Sequence, residues 1–230
     1  RLSVALLDPM APRTGVVTPP ADAPSDWTVR GRVDVSGPFH FFWPPGTHVT
    51  VTGQRGNMYR VRLTADRSVY VPIDDVRLLP EGVPPTGAAV NAIRFNPEPG
   101  FIDVRIPTGQ RLPFQIVEED ARTIHVDVFG AVSRINFFQY GGLDPLVERA
   151  SWSQPSDSVL RVTVKLTEPL WGFHTYFDQS DAVVLRIRRP PAIDPARPLA
   201  GLLIGVDPGH PPTGSTGPTG LTEAEANLAV

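Results

Sequence analysis

Short segments in which apolar and polar residues alternate strictly recur along most of the chain, and this alternation constrains the fold more than any other feature. Clear examples occupy residues 48–52, 58–63, 101–106 and 123–129. In an extended strand, successive side chains point to opposite faces, so a period of two predicts sheets with one buried face. No helical periodicity separates these segments before residue 200. We therefore expect antiparallel sheets and a mainly β fold.

Composition agrees with short strands and excludes several classes of function. The 230 residues include 20 glycines and 27 prolines, which is too many for long helices. A net charge of −3 gives no basic excess for nucleic acid or an anionic membrane surface. No apolar run approaches the roughly 18 residues that a membrane span needs. The absence of cysteine excludes disulfides, thiolate metal sites and cysteine nucleophiles.

Clusters of proline and glycine divide the chain at residues 9–24, 80–87 and 190–198. We expect a small β barrel with a proline-rich lead over 1–85 and a β-sandwich over 86–190. The strand spacing of the second block, about 8–12 residues, is typical of a sandwich. A linker over 191–200 would precede a different kind of domain that begins at 201.

The first block resembles a bacterial SH3-like domain over residues 43–80. The resemblance is carried by Pro-Gly-Thr at 45–47, Tyr-Arg-Val-Arg-Leu at 59–63 and Val-Tyr-Val at 69–71, the last followed by Asp-Val at 75–76. It implies a small barrel of a family whose members often bind cell-wall peptides. A spacer barrel without a ligand is the alternative.

The second block resembles an AMIN domain, a β-sandwich found in front of cell-wall amidases and in some secretion-pore components. The resemblance rests on the rhythm of its strands and on the closing Val-Leu-Arg-Ile-Arg-Arg-Pro at 184–190. It implies a role in septal or peptidoglycan targeting.

The last thirty residues differ from everything before them. A continuous apolar run at 201–207 predicts a strand buried on both faces. A loop rich in glycine and proline follows, and then a segment at 222–230 that favours a helix. Thr222 with Glu225 three residues later forms a capping box at its start. The order strand, loop, helix predicts the opening of an α/β domain.

Two residues of this C-terminal segment are candidate metal ligands. His210 would follow the carboxyl end of the predicted strand, where α/β folds place ligand sites. Glu223 would lie in the first helical turn, and the loop between them can bring the two side chains together. An imidazole and a carboxylate make up two-thirds of a His₂Glu zinc site whose remaining position holds water. The alternative is that His210 is a structural or solvated residue.

The same segment resembles the start of the zinc-dependent N-acetylmuramoyl-L-alanine amidase family. It is carried by Val-Asp-Pro-Gly-His at 206–210, Gly-Pro-Thr-Gly-Leu-Thr-Glu at 217–223 and Asn-Leu at 227–228. In that family the matching His and Glu are zinc ligands, which implies that role for His210 and Glu223. The usual two glycines after the His are Pro211 and Pro212 here.

The resemblance implies a cell-wall hydrolase that cleaves the muramic acid to L-alanine amide of peptidoglycan, with zinc as cofactor. The third zinc ligand and the catalytic Glu are expected beyond residue 230. The chain would then be the N-terminal part of an enzyme of the cell envelope, periplasmic or secreted, and inactive alone. A missing C-terminal domain or a partner chain would cover 201–230. The alternative is a non-catalytic module that binds or targets peptidoglycan.

Other chemically interesting residues have simpler interpretations. The remaining histidines lack metal-ligand spacing and are expected to be structural: His40, His48, His125 and His174. Four aromatic residues could form a binding platform, although sandwich core is the more common role of such a set: Trp152, Trp171, Phe173 and Tyr176. The arginines at 186, 188 and 189 are expected to form a solvated strand end.

Overall fold

Strands make up almost all of the regular structure, as the alternating pattern predicts. The computed structural model describes residues 11–209 and 214–229. Up to Pro190, the described residues contain eighteen strands and a single 3-10 turn. The prediction of a mainly β fold is confirmed. In the described part of the chain, no helix has the length and apolar character needed to cross a bilayer.

The first sheet is antiparallel and has seven strands in the order β3-β2-β6-β5-β4-β1-β7. Its strands are β1 (Arg13–Val17), β2 (Val29–Arg32), β3 (Phe39–Trp43), β4 (His48–Arg55), β5 (Met58–Arg62), β6 (Ser68–Pro72) and β7 (Val76–Leu78). The predicted strands at 48–52 and 58–63 are confirmed as β4 and β5. A 3-10 helix at Ile73–Asp75 precedes β7.

Every strand of this sheet contributes to one buried cluster, so the sheet curves around its own core. The cluster includes Val17, Val29, Phe41, Trp43, Val49, Val51, Val61, Val69, Val71 and Val76. Strand β1 corrects the expectation that residues 9–24 are linker-like. It lies between β4 and β7 and pairs with both. Pairing with distant strands, rather than local periodicity, determines its conformation.

The remaining strands form two larger sheets and one small parallel pair. The strands are β8 (Ala88–Val90), β9 (Ile93–Pro97), β10 (Phe101–Ile106), β11 (Phe114–Asp120), β12 (Thr123–Phe129), β13 (Ala131–Ser133), β14 (Phe138–Tyr140), β15 (Val147–Ser156), β16 (Val159–Leu166), β17 (Phe173–Phe177) and β18 (Val183–Arg188). The five-stranded sheet has the order β14-β9-β10-β18-β17, and the four-stranded sheet β11-β12-β16-β15. Strands β8 and β13 form the parallel pair.

The two larger sheets share one core, which places them face to face. Ile102 and Val104 of β10 belong to the same buried cluster as Val126 of β12 and Val162 of β16. The single buried face predicted from the alternation at 101–106 is confirmed, because Ile102, Val104 and Ile106 are all fully buried. The ten-residue strand β15 had no prediction, since its sequence does not alternate.

The first sheet and the sandwich are joined by packing and by hydrogen bonds within one compact unit that ends at Pro190. Phe129 of β12 and Val159 of β16 belong to the core of the first sheet. The indole N–H of Trp43 donates to the carbonyl of Phe114 at 2.7 Å. The backbone N–H of His48 donates to the carbonyl of Arg111 at 2.8 Å.

The C-terminal unit begins at Pro191 and contains one helix, α1 (Glu223–Leu228). The predicted strand at 201–207 is wrong, because these residues form no strand. Leu203 is fully exposed, and Ile204 and Val206 are more than half exposed. A strand buried on both faces needs neighbouring strands, and the described residues of this unit supply none.

Candidate functional site

Helix α1 carries the predicted zinc ligand Glu223 at its first position. Its N-cap residue, Thr222, accepts a hydrogen bond from the backbone N–H of Glu225 at 3.3 Å. The Glu225 carboxylate accepts one from the Thr222 N–H at 3.0 Å. The predicted capping box is therefore confirmed. Hydrogen bonds from the Thr222 N–H and hydroxyl lower the pKa of Glu225, which favours its carboxylate form at the start of the helix.

The loop before α1 folds back onto the start of the helix. The carbonyl of Ser215 accepts a hydrogen bond from the Glu223 N–H at 2.8 Å. The Ser215 N–H in turn donates to Oε2 of Glu223 at 3.3 Å. Thr216 also forms an antiparallel bridge with Thr222. The Glu223 carboxylate thus lies beside a residue only five positions after His210.

The segment before His210 contacts the same helix. Asn227 donates a hydrogen bond from Nδ2 to the carbonyl of Pro208 at 2.7 Å. The Asp207 carboxylate accepts one from the Gly209 N–H at 2.8 Å. Segments on both sides of His210 therefore bond to α1 or to its N-terminal residues. His210 itself lies outside the described residues, so its pairing with Glu223 stays a prediction.

The donor set determines whether zinc fits this segment. Protein zinc sites use at least three protein donors. Among the described residues, no cluster of three or more His, Cys, Asp or Glu could hold a metal ion. His210 and Glu223 would together supply two donors. The two predicted ligands therefore fall one donor short of a zinc site.

Of the other histidines, His125 has the burial and contacts of a structural residue. His125 is buried, with Nδ1 at 2.8 Å from Oγ1 of Thr163 and Nε2 at 3.1 Å from Oε2 of Glu119. His174 stacks on Tyr176 with ring centroids 5.7 Å apart. Burial lowers the pKa of His48, which favours its neutral form.

The four aromatic residues predicted as a platform or as core do not form one group. Trp152 packs edge-on against Phe138, with ring centroids 5.1 Å apart. The hydroxyl of Tyr176 donates to Asp103 at 3.2 Å. Trp171 and Phe173 are partly exposed and line a cavity of about 400 Å³ beside β17. We call this cavity the Trp171 groove.

The C-terminal arginines of the sandwich correct the expectation of a solvated strand end. Arg186 donates two hydrogen bonds of 2.8 Å to Asp103, which lies opposite it on β10. Arg189 donates two to the buried carboxylate of Asp144, at 2.9 and 2.5 Å. Of the three, only Arg188 is exposed and outside the ion pairs of the described residues.

A second cavity, of about 620 Å³, lies on the first sheet, and its arginines were not identified as functional residues from the sequence. The guanidinium carbons of Arg32 and Arg30 lie 4.0 and 5.6 Å from the ring centroid of Phe39. Neither arginine belongs to an ion pair of the described residues. Trp27 and Asp75 also line the cavity, which we call the Phe39 groove. In the sequence, the signal for this cavity was the pair of arginines at alternate positions of β2, Arg30 and Arg32.

The comparisons with known proteins add no relative. A scan against protein-family models, a search of curated proteins and a search of solved structures each found no match to this chain.

Proposed function

We propose that this chain is the N-terminal part of a zinc-dependent N-acetylmuramoyl-L-alanine amidase. The observation that carries the proposal is the ordered set of residues Asp207, Pro208, Gly209, His210, Glu223 and Asn227, together with one hydrogen bond within it. The bond from Asn227 to the carbonyl of Pro208 holds the segment before His210 against the helix that bears Glu223. This bond supports the proposal, because it brings the residues that lead into one predicted zinc ligand next to the helix that carries the other.

The chain's own residues have positioning roles in this proposal. Asn227 anchors the segment that leads into His210, and Ser215 orients the Glu223 carboxylate through its backbone N–H. Zinc, when bound, would act as a Lewis acid and lower the pKa of a bound water. Because two donors fall short of a site, the 230-residue chain should bind zinc weakly. It should release no peptide from peptidoglycan on its own.

The β-rich part up to Pro190 would deliver the enzyme to its substrate. Under this proposal the protein works in the cell envelope, in the periplasm or after secretion. Its partner is peptidoglycan, and the residues that complete the metal site lie beyond residue 230.

Metal content and activity of the natural, full-length protein test the proposal. His210→Ala and Glu223→Ala should each lower bound zinc and abolish release of peptide from isolated peptidoglycan. Glu225→Gln is the matched control, because it keeps an N3 side chain able to cap the helix. Unchanged zinc content in both alanine variants, or activity that survives chelation, would remove the assignment.

A second function, non-catalytic binding of cell-wall peptides, is favoured by the Phe39 groove. Two guanidinium groups lie beside one ring, which is unfavourable for like charges unless an anion joins them. Burial, and next the charge of Asp74, raise the pKa of Asp75 in the same groove. A carboxylate-bearing peptide can accept paired hydrogen bonds from arginine while its apolar part packs on the aromatic rings.

Binding to isolated cell-wall sacculi tests this second function. The double variant Arg30→Glu with Arg32→Glu should weaken binding at least about tenfold, which corresponds to about 1.4 kcal/mol. Arg77→Glu is the control, since Arg77 is an exposed arginine on β7 of the same sheet. Equal binding by the double variant and the control would contradict a role for the groove.

A further inference from the structure

Strand β17 forms an open edge of the five-stranded sheet. It is the last strand in the order of that sheet, and only β18 pairs with it among the described residues. Its five residues, Phe-His-Thr-Tyr-Phe, include no charged residue and no proline, and its pairing with β18 has no bulge. Proteins normally protect an edge strand with charged residues, prolines or bulges. Strand β17 has none of these, so it is an unprotected pairing surface.

The other edges of the described sheets carry the protection that β17 lacks. Strands β7, β8, β13 and β14 each have only three residues. Strand β15 has two register shifts, and β11 ends in three acidic residues. Strand β3 is covered near β11, where Trp43 bonds to Phe114. Among these edges, only β17 combines a length of five residues, the absence of charged side chains and pairing without a register shift.

The hydrogen-bond pattern identifies which backbone groups of β17 point outward. The N–H of Arg188 bonds to the carbonyl of Gly172, and the N–H of Asp178 to the carbonyl of Ala182. Antiparallel pairs alternate between bonded and non-bonded, so residues 172, 174, 176 and 178 are the bonded positions. The N–H and C=O groups of Phe173, Thr175 and Phe177 therefore face the open edge.

The Trp171 groove lies beside this edge and gives it a chemical preference. Its walls include Phe101, Trp171 and Phe173, and the last two are 46% and 37% exposed. Arg186 and Arg188 also line it, and no acidic residue does so among the described residues. Asp103 neutralises Arg186, which leaves Arg188 as the exposed cation. The groove thus combines apolar surface with one uncompensated positive charge.

We infer that β17 and the Trp171 groove bind an extended segment of a partner protein as a sixth strand, with an acidic side chain next to Arg188. The inference goes beyond the proposed amidase function and beyond cell-wall binding. Main-chain bonds to Phe173, Thr175 and Phe177 supply affinity, while the groove and Arg188 supply specificity. A second copy of β17 fits less well, because the five residues of β17 include no carboxylate to pair with Arg188.

Amide hydrogen exchange on the full 230-residue chain tests the inference directly. The probe is a fluorescein-labelled heptapeptide in which valine and glutamate alternate. On binding, the amides of Phe173, Thr175 and Phe177 should become protected, whereas those of His174 and Tyr176 are already protected by β18. Unchanged exchange at the three outward amides with saturating peptide would overturn the inference.

Two variants separate the backbone and charge contributions. Thr175→Pro removes an outward N–H and no bond to β18, and edge strands tolerate proline at such a position. It should weaken peptide binding at least about tenfold, or about 1.4 kcal/mol. Arg188→Glu should do the same and reverse the preference toward a valine–lysine peptide. Trp171→Ala provides a third variant if Thr175→Pro lowers the melting temperature.

Arg77→Glu, a change of an exposed arginine on β7, is the matched charge control and should bind the peptide as well as the original chain does. Equal affinity for the glutamate and lysine peptides would contradict the acidic preference. Protection of the three outward amides without peptide, increasing with protein concentration, would assign the edge to a second copy and overturn the inference.

Discussion

The register of neighbouring strands in each sandwich sheet places individual residues of opposite charge directly opposite one another. Asp127 on β12 lies opposite Arg161 on β16, and Asp103 on β10 lies opposite Arg186 on β18. The Asp127 side chain is 5% exposed and receives hydrogen bonds of 2.6 and 2.7 Å from Arg161. Such pairs stabilise one register, because a slip of one residue would separate them.

The Asp127–Arg161 pair should respond unequally to removal of its two members. Arg161→Ala leaves a buried carboxylate without its partner and should lower the free energy of unfolding by about 3 kcal/mol. Asp127→Ala leaves a guanidinium that is 36% exposed and can turn to water, so the loss should be about 1–2 kcal/mol. Urea denaturation of both variants measures the difference. Equal losses would contradict the burial argument.

Asp178, in the turn between β17 and β18, should make stability depend on acid pH. Burial raises its pKa, but hydrogen bonds from Arg105, Ser180 and Ala182 outweigh this and lower the pKa from 3.8 to about 2. The unfolded chain therefore binds the proton first as the pH falls. The contribution of Asp178 is fully present above about pH 4 and is lost between about pH 4 and about pH 2.

Solvent screening limits this contribution to about 1 kcal/mol, since the carboxylate is partly exposed. Asp178→Asn should flatten the fall in the free energy of unfolding over that pH range. Denaturant titrations at pH 4, 3 and 2 provide the measurement. Asp157→Asn is a useful comparison, because this residue is exposed in the turn between β15 and β16. An unchanged slope in Asp178→Asn would contradict the assigned role.

Strand β1 contains a glycine that allows its neighbouring strands to approach closely. Gly15 pairs with Val49 on one side and with Leu78 on the other. A Cβ built on Gly15 would lie 2.6 Å from Cγ1 of Val76 and 3.3 Å from Cγ2 of Val49. Both atoms belong to buried side chains of the core. The strand can therefore be accommodated only with a residue that lacks a side chain.

Gly15→Ala should lower the free energy of unfolding by about 1–3 kcal/mol, because the core must shift to admit the methyl group. Gly100→Ala is the matched control, since nothing lies within 4 Å of its built Cβ. Thermal unfolding of both variants compares them. A melting temperature of Gly15→Ala equal to that of Gly100→Ala would show that the core accepts the change.

Elements with strict alternation were predictable from the sequence, and elements set by distant partners were not. Strands β10 and β12 were predicted with their full bounds, because each alternates over six or seven residues. Strand β1 was missed because its pairing partners lie more than thirty residues away. The run at 201–207 was predicted as a strand from apolarity alone, which does not supply a neighbouring strand. The capping box of α1 was predictable because all of its bonds are local.

The candidate site was predictable only in part for the same physical reason. The position of Glu223 at the start of a helix was predictable from local signals, whereas its role as a zinc ligand stays a prediction. The arginines of the Phe39 groove were missed, and Trp171 and Phe173 were identified only as members of a possible platform of four aromatic residues. Each of the two grooves assembles residues from strands or loops that are far apart in sequence.

On the scale of the whole molecule, the first sheet and the sandwich should unfold together. Phe129 and Val159 of the sandwich strands lie in the core of the first sheet, and the rings of Phe41 and Phe129 are 6.2 Å apart. Removing either sheet would expose buried side chains of the other. We therefore expect a single transition over residues 11–190, with coincident curves from circular dichroism and tryptophan fluorescence.

Trp43→Phe should lower the midpoint of that transition. The change removes the 2.7 Å hydrogen bond to Phe114 and shrinks a fully buried side chain, at a cost of about 1–3 kcal/mol. Trp171→Phe, which alters an exposed indole, serves as the control. Two separate transitions in the original chain would contradict the shared core.

The central claim is that His210 and Glu223 belong to an enzyme that cleaves one particular amide. Mass spectrometry of soluble products from purified peptidoglycan, digested by the natural full-length protein, tests this most directly. Cleavage of that amide should give free peptides that begin with L-alanine and glycan strands whose muramic acid residues carry free lactyl carboxylates, with neither product after Glu223→Ala. Products cut within the glycan or within the peptide, or no products at all, would contradict it.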